Sequence, residues 1–155
     1  KDARLLAAAT VSKNAAEGYY VPPHLFEIKN ISVLREEKFG PLLHLIRYKK
    51  NELDNIIKDI NNTGYGLTFG VHSRLQDKVA YIIERIHAGN IYINRNMTGA
   101  VVGQQPFGGM KLSGTGPKAG GEHYLLGFCH EKTITTNLTA IGGNLQLMQH
   151  KNPYK

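Results

Sequence analysis

Between Leu42 and Asn94 this chain alternates apolar runs with segments of helical spacing, and that alternation limits the fold more than any other feature. Leu42-Leu43-His44-Leu45-Ile46-Arg47-Tyr48 is a nearly continuous apolar run, the pattern of a buried strand. Asn51–Asn61 follows with Leu53, Ile56, Ile57 and Ile60 at helical spacing, and Asn61-Asn62-Thr63-Gly64 stops it. Leu67–His72 reads as a second buried strand. Ser73 is the expected N-cap of a second helix, with Val79, Ile82, Ile83 and Ile86 as its stripe and Ala88-Gly89 as its end. Asn90-Ile91-Tyr92-Ile93-Asn94 is a third strand. Strand, helix, strand, helix, strand is the order of an α/β domain with parallel strands.

On either side the signals are weaker. The Ala-rich opening, residues 1–10, reads as a helix entered mid-chain, too short for a signal peptide or membrane span. With Lys1 in first place, we expect the sequence to be a piece of a longer protein. Residues 18–28 read as short strand pieces broken by prolines, and Ile31–Glu37 as a connector or short helical turn. Glu122–Phe128 suggests a helical turn. Glu131–Asn137 is Thr-rich and polar, as a strand at a sheet edge is. Residues 138–155 read as a polar, partly mobile tail.

A length of 155 residues, with 41% hydrophobic and 20% charged, is enough for one packed domain. The net charge of +7 raises the idea of a nucleic-acid surface. However, the basic residues are dispersed, Lys49-Lys50 is their only adjacent pair, and no RNA-binding aromatic motif accompanies them. We therefore expect no nucleic-acid partner. The single cysteine, Cys129, allows no internal disulfide and suits a reducing, cytoplasmic compartment. It ends an apolar stretch, where a small buried hydrophobe is expected rather than a nucleophile. The seven histidines carry no metal-ligand spacing. Gly114-Thr115-Gly116-Pro117-Lys118-Ala119 matches a dinucleotide fingerprint, but no buried strand precedes it, so it is read as a chance match. Three Asn-x-Thr triplets, at Asn61, Asn96 and Asn137, are read the same way.

Two segments carry chemistry. Thr98-Gly99-Ala100-Val101-Val102-Gly103-Gln104-Gln105-Pro106-Phe107-Gly108-Gly109 has neither strand nor helix periodicity and holds four glycines. Such a run is a shaped loop whose backbone N–H groups can face an anion. Glu37-Lys38-Phe39-Gly40-Pro41 fixes a turn before an apolar strand. Its carboxylate could accept bonds from vicinal hydroxyls, and its aromatic ring could pack on a flat ring; a solvated Glu and a core Phe remain the plain alternative.

These segments, with Asn62-Thr63-Gly64-Tyr65-Gly66-Leu67-Thr68, Ala88-Gly89-Asn90-Ile91-Tyr92-Ile93-Asn94 and Pro106-Phe107-Gly108-Gly109-Met110-Lys111-Leu112-Ser113-Gly114, resemble the aldehyde dehydrogenase superfamily over nearly the whole chain to Asn137. The fold implied is α/β, the C-terminal portion of an aldehyde dehydrogenase catalytic domain over 1–130 with an oligomerisation strand at 131–137. The resemblance implies NAD as cofactor. Glu37 would hold the nicotinamide ribose hydroxyls, Phe39 would lie beside the nicotinamide, and Leu67 would lie near it.

The loop from Gly99 to Gln105 resembles the anchor of L-glutamate γ-semialdehyde dehydrogenases. In these the N–H groups at Gly99 and Ala100 would bind the substrate α-carboxylate, and Phe107 would pack on its aliphatic stem. Some relatives have Ser where Ala100 stands, so this chain would rely on main-chain donors. Thr133-Ile134-Thr135-Thr136-Asn137 and Ala140-Ile141-Gly142-Gly143-Asn144 resemble the end of bifunctional proline utilisation proteins. FAD would belong only to the proline dehydrogenase part of such a parent. The family's nucleophilic cysteine and base match no residue here, so the expectation is a catalytically silent piece of a homo-oligomeric parent. A monofunctional or other-substrate aldehyde dehydrogenase and a non-catalytic self-association module remain as alternatives.

Overall fold

Helix α2 (Gln76–Ile83) carries the chain from strand β5 (Thr68–Val71) to strand β6 (Asn90–Ile93), and the two strands pair in parallel, Thr68 with Asn90 through Val71 with Ile93. A parallel pair needs such a crossover, and the expected stripe supplies its buried face. Val79, Ile82 and Ile86 are buried, and Ile83 packs against them. Helix α1 (Leu53–Asn62) adds Ile57 to the same core, with Leu53 and Ile60 beside it; Val71 and Ala88 complete it. Each such aliphatic side chain stabilises the fold by about 1.5–3 kcal/mol relative to an exposed position. The fold is described by a computed structural model over residues 2–12, 15, 18–137 and 140.

A second, three-stranded sheet has the order β1 (Ala3–Ala8), β2 (His24–Ile28), β3 (Leu42–Leu45). β1 runs antiparallel to β2 and β3 parallel to it. Glu27 ties all three together: Arg4, its register partner on β1, and Arg47, just past β3, both donate to its carboxylate, Arg47 at 2.8 Å. The two guanidinium donors, Arg4 first, hold the Glu27 carboxyl below its ordinary value. A short antiparallel ladder joins β4 (Tyr65–Gly66) to β7 (Met110–Lys111).

Several expectations need correction. The opening is a strand, not a helix: pairing with β2 outweighs the helix preference of its alanines. β3 is shorter than expected and not buried, for Leu43 is 65% exposed. It lies at the edge of the β1–β3 sheet and makes no ladder with β5, so the parallel strands fall in two sheets. α2 starts three residues after Ser73, whose hydroxyl instead accepts the Leu75 N–H at 3.2 Å in a local turn. Cys129 is exposed, because the 3-10 turn Tyr124–Phe128 before it lies on the surface. Residues 131–137 are exposed and pair with no described strand of this chain, while the pairing expected for them is with a neighbouring subunit. The expectation for the tail falls on residues outside those described, Ala140 apart.

Candidate functional site

The loop at 98–109 grows from the C-terminal end of β6 and returns against its start. Tyr92, buried in β6, donates its hydroxyl to the Gly99 carbonyl at 2.9 Å. Arg95 lies over the Tyr92 ring, 5.2 Å from its centroid, and donates to the Thr98 carbonyl at 3.2 Å. Gly99 has φ of +122°, a conformation closed to most side chains. Val101 to Gln105 then closes a tight turn: the Val101 N–H donates to the Gln105 carbonyl at 3.0 Å, and the Gln105 N–H donates back at 2.6 Å. The Gly103 N–H at the tip donates to the Gly120 carbonyl at 2.8 Å. Among the described residues, the N–H groups of Gly99 and Ala100 have no acceptor. Both residues are exposed.

The return limb is bound at two points, and a third bond lies beside it. The Phe107 N–H donates to the Ala119 carbonyl at 3.0 Å, and the Ala119 N–H donates to the Phe107 carbonyl at 2.9 Å. The Asn90 carboxamide donates to the Pro106 carbonyl at 3.0 Å and accepts the Gly108 N–H at 3.1 Å. Lys118 donates to the Gly89 carbonyl. Phe107 is therefore held half-buried by its own backbone pairing. The segment 114–119 holds a bend at 115–117 and the Ala119 bridge to Phe107, with no helix, unlike a dinucleotide-binding turn.

Leu67 links β4 to β5 and is 41% exposed; its carbonyl accepts the Asn90 N–H at 3.1 Å. Leu67 and the loop thus share the root of β6. Glu37 and Phe39 lie on the segment that leads into β3 of the other sheet. The turn at Gly40-Pro41 is pinned to β2, with the His24 N–H on the Pro41 carbonyl at 2.9 Å. Phe39 is 94% exposed, so it is not the core Phe of the plain alternative. Lys38 pairs with Glu36, and that ammonium lowers the Glu36 carboxyl. Glu37, exposed, makes no hydrogen bond or ion pair among the described residues. No hydrogen bond joins the 36–41 segment to the loop among the described residues.

Sequence reasoning missed Asn90, Tyr92, Arg95 and Lys118, which shape the loop. The available signal was position: polar groups on a strand that abuts a glycine-rich loop have backbone to satisfy. Among the described residues no group of three His, Cys, Asp or Glu could hold a metal ion, and no helix is long and apolar enough to cross a membrane.

Comparison with known proteins bears on this arrangement. The aldehyde dehydrogenase family model matches residues 1–134. Bifunctional protein PutA of Rhizobium meliloti is 59% identical over 108 residues, 70% of this chain and 9% of that protein. A crystal structure of bifunctional proline utilization A superposes with a TM-score of 0.80 at 54% identity, over 91% of this chain and 14% of that one. The 1-pyrroline-5-carboxylate dehydrogenase from Thermus with bound NAD superposes with a TM-score of 0.69 at 38% identity, over 81% of this chain and 24% of that one. This chain thus spans a quarter or less of the length of these relatives. It belongs to the aldehyde dehydrogenase family.

Proposed function

We propose that these residues are the C-terminal part of an NAD-dependent dehydrogenase that oxidises L-glutamate γ-semialdehyde to L-glutamate in proline catabolism. The observation that carries this reading is the pair of successive N–H groups at Gly99 and Ala100, which have no acceptor among the described residues and lie on an exposed stretch of the loop. Amides of this kind are anion donors, and the substrate's α-carboxylate is the anion they would take. Phe107 would lie along the aliphatic stem. The names of the relatives point the same way: PutA at 59% identity and 1-pyrroline-5-carboxylate dehydrogenase at 38%.

The residues toward the cofactor fit it in kind. Glu37 is an unpaired carboxylate that could accept two vicinal ribose hydroxyls, and the bare Phe39 ring could lie beside the nicotinamide. Leu67 would line the same side. NAD, when bound, supplies the acceptor for the aldehyde hydride. The chain's own residues orient both molecules and hold the substrate carboxylate; the sole thiol, the exposed Cys129, matches no catalytic cysteine of the family. By itself the chain is therefore inactive. The exposed free thiol suits a cytoplasmic setting. Leu125, Leu126, Phe128 and Ile134 are 64–75% exposed, which supports 131–137 as a segment that pairs with a neighbouring subunit of a homo-oligomer.

The test is NAD reduction by the full-length dehydrogenase containing this segment. L-glutamate γ-semialdehyde is compared with an aldehyde of equal length that lacks the carboxylate. Two charge-assisted bonds predict a kcat/KM preference of at least about 100-fold. Equal kcat/KM values would remove the reading.

A further inference from the structure

The two amides assigned to the carboxylate are not oriented by their own loop. They are oriented by two side chains of β6 and the turn just after it. Every described peptide is trans, so each carbonyl and the next residue's N–H point in opposite directions across one plane. The Arg95 guanidinium holds the Thr98 carbonyl at 3.2 Å, which fixes the plane containing the Gly99 N–H. The Tyr92 hydroxyl holds the Gly99 carbonyl at 2.9 Å, which fixes the plane containing the Ala100 N–H. Two successive carbonyls are thus held by side chains, and the two N–H groups of the same peptides point away from those side chains.

Other features favour this arrangement. Tyr92 is buried, so its hydroxyl starts from a strand that cannot swing. Arg95 is held over the Tyr92 ring, which couples the two contacts. The guanidinium also lies close to Gly99: a Cβ built there would be 3.4 Å from Arg95 Nη2. A fixed positive charge beside two free amides adds to their attraction for an anion. Gly99, at φ +122°, accepts the backbone turn between the two planes.

We propose that Tyr92 and Arg95 are positioning residues that aim the Gly99 and Ala100 N–H groups at a carboxylate, with the Arg95 charge adding to the anion's field. The proposal rests on the reading of the loop as a carboxylate anchor. Neither side chain takes part in the chemistry; each acts through the backbone it holds.

The test uses the full-length dehydrogenase with Tyr92→Phe, which keeps the buried ring and removes only the hydroxyl, and Arg95→Met, at an exposed position. Each is assayed with 5-oxopentanoate and with pentanal, which differ only in the terminal carboxylate. The readout is the ratio of the two kcat/KM values. Losing one carbonyl contact predicts a ratio lowered about 3- to 10-fold in Tyr92→Phe, through KM for 5-oxopentanoate, and more in Arg95→Met, where a charge also goes. A ratio unchanged in both variants overturns the proposal, whether activity stays level or falls alike on both aldehydes, since a purely structural role lowers both equally. A wild-type ratio near one overturns the anchor reading itself, before any variant is considered.

Discussion

The Asn90 carboxamide accepts the N–H of Gly108, at 3.1 Å, across a gap of eighteen positions in the chain. Its other end donates to the Pro106 carbonyl, so one half-buried side chain closes both ends of the peptide stretch on either side of Phe107. Replacing Asn90 with alanine removes both bonds and leaves two loop groups unpaired. Thermal unfolding should show a loss of about 1–3 kcal/mol. Asn90→Asp keeps the acceptor for Gly108 but sets a carboxylate oxygen against the Pro106 carbonyl. It should unfold more readily than wild type at neutral pH and recover as acid protonates the new group.

Gly89 and Gly108 meet backbone to backbone. A Cβ at Gly89 would lie 1.9 Å from the Gly108 carbonyl oxygen, with no flexible side chain between them to yield. Gly89→Ala must therefore push the loop away from β6. A stability loss of about 1–3 kcal/mol is expected from such overpacking, measurable by denaturant titration. The same variant in the full-length enzyme should raise KM for the carboxylate-bearing aldehyde.

Glu37 offers a cleaner separation of binding from folding. It is exposed and unpaired among the described residues, so Glu37→Gln should leave the unfolding transition within about 0.5 kcal/mol of wild type. If the carboxylate holds the ribose hydroxyls, KM for NAD in the full-length enzyme should rise about 10-fold, since Gln keeps one neutral acceptor and loses the charge. An unchanged KM would return Glu37 to the status of a solvated surface residue.

Glu27 predicts a pH dependence. Its carboxyl is held below the ordinary value of 4.5 by Arg4 and Arg47, so the folded state binds the proton less readily than the unfolded one. Its contribution to stability is complete above that ordinary value and fades as pH falls through the lowered one. Glu27→Gln should therefore be less stable than wild type at neutral pH, and the two should converge in strong acid. Melting curves from pH 7 to pH 2 would show this; a gap independent of pH would contradict it.

The legible parts of the fold were those where local preference and burial agree. α2 and its flanking strands follow from an apolar stripe facing an apolar pair, and the core is that stripe, at Val79, Ile82 and Ile86, set against Val71 of β5. β1 was not legible, since its alanines prefer helix by themselves and become strand only through β2, sixteen or more positions away. The exposure of Leu43 was not legible either: an apolar run states a preference for burial but not what covers it. At the site, the loop announced itself through its glycines. Its supports at Asn90, Tyr92 and Arg95 lie on an ordinary strand and turn, and only the folded geometry shows which carbonyls they hold.

The contact between Gly89 and Gly108 has a mechanical consequence. Side chains absorb small displacements by changing rotamer, whereas peptide planes in direct contact cannot. The Gly89 N–H is meanwhile bonded to the Gly66 carbonyl at 2.9 Å, so β4, the base of β6 and the loop's return limb are stacked main chain on main chain. A force applied to the backbone around Gly108 is passed to the strands almost undiminished, and the loop's root has the stiffness of a sheet rather than the give of a surface turn.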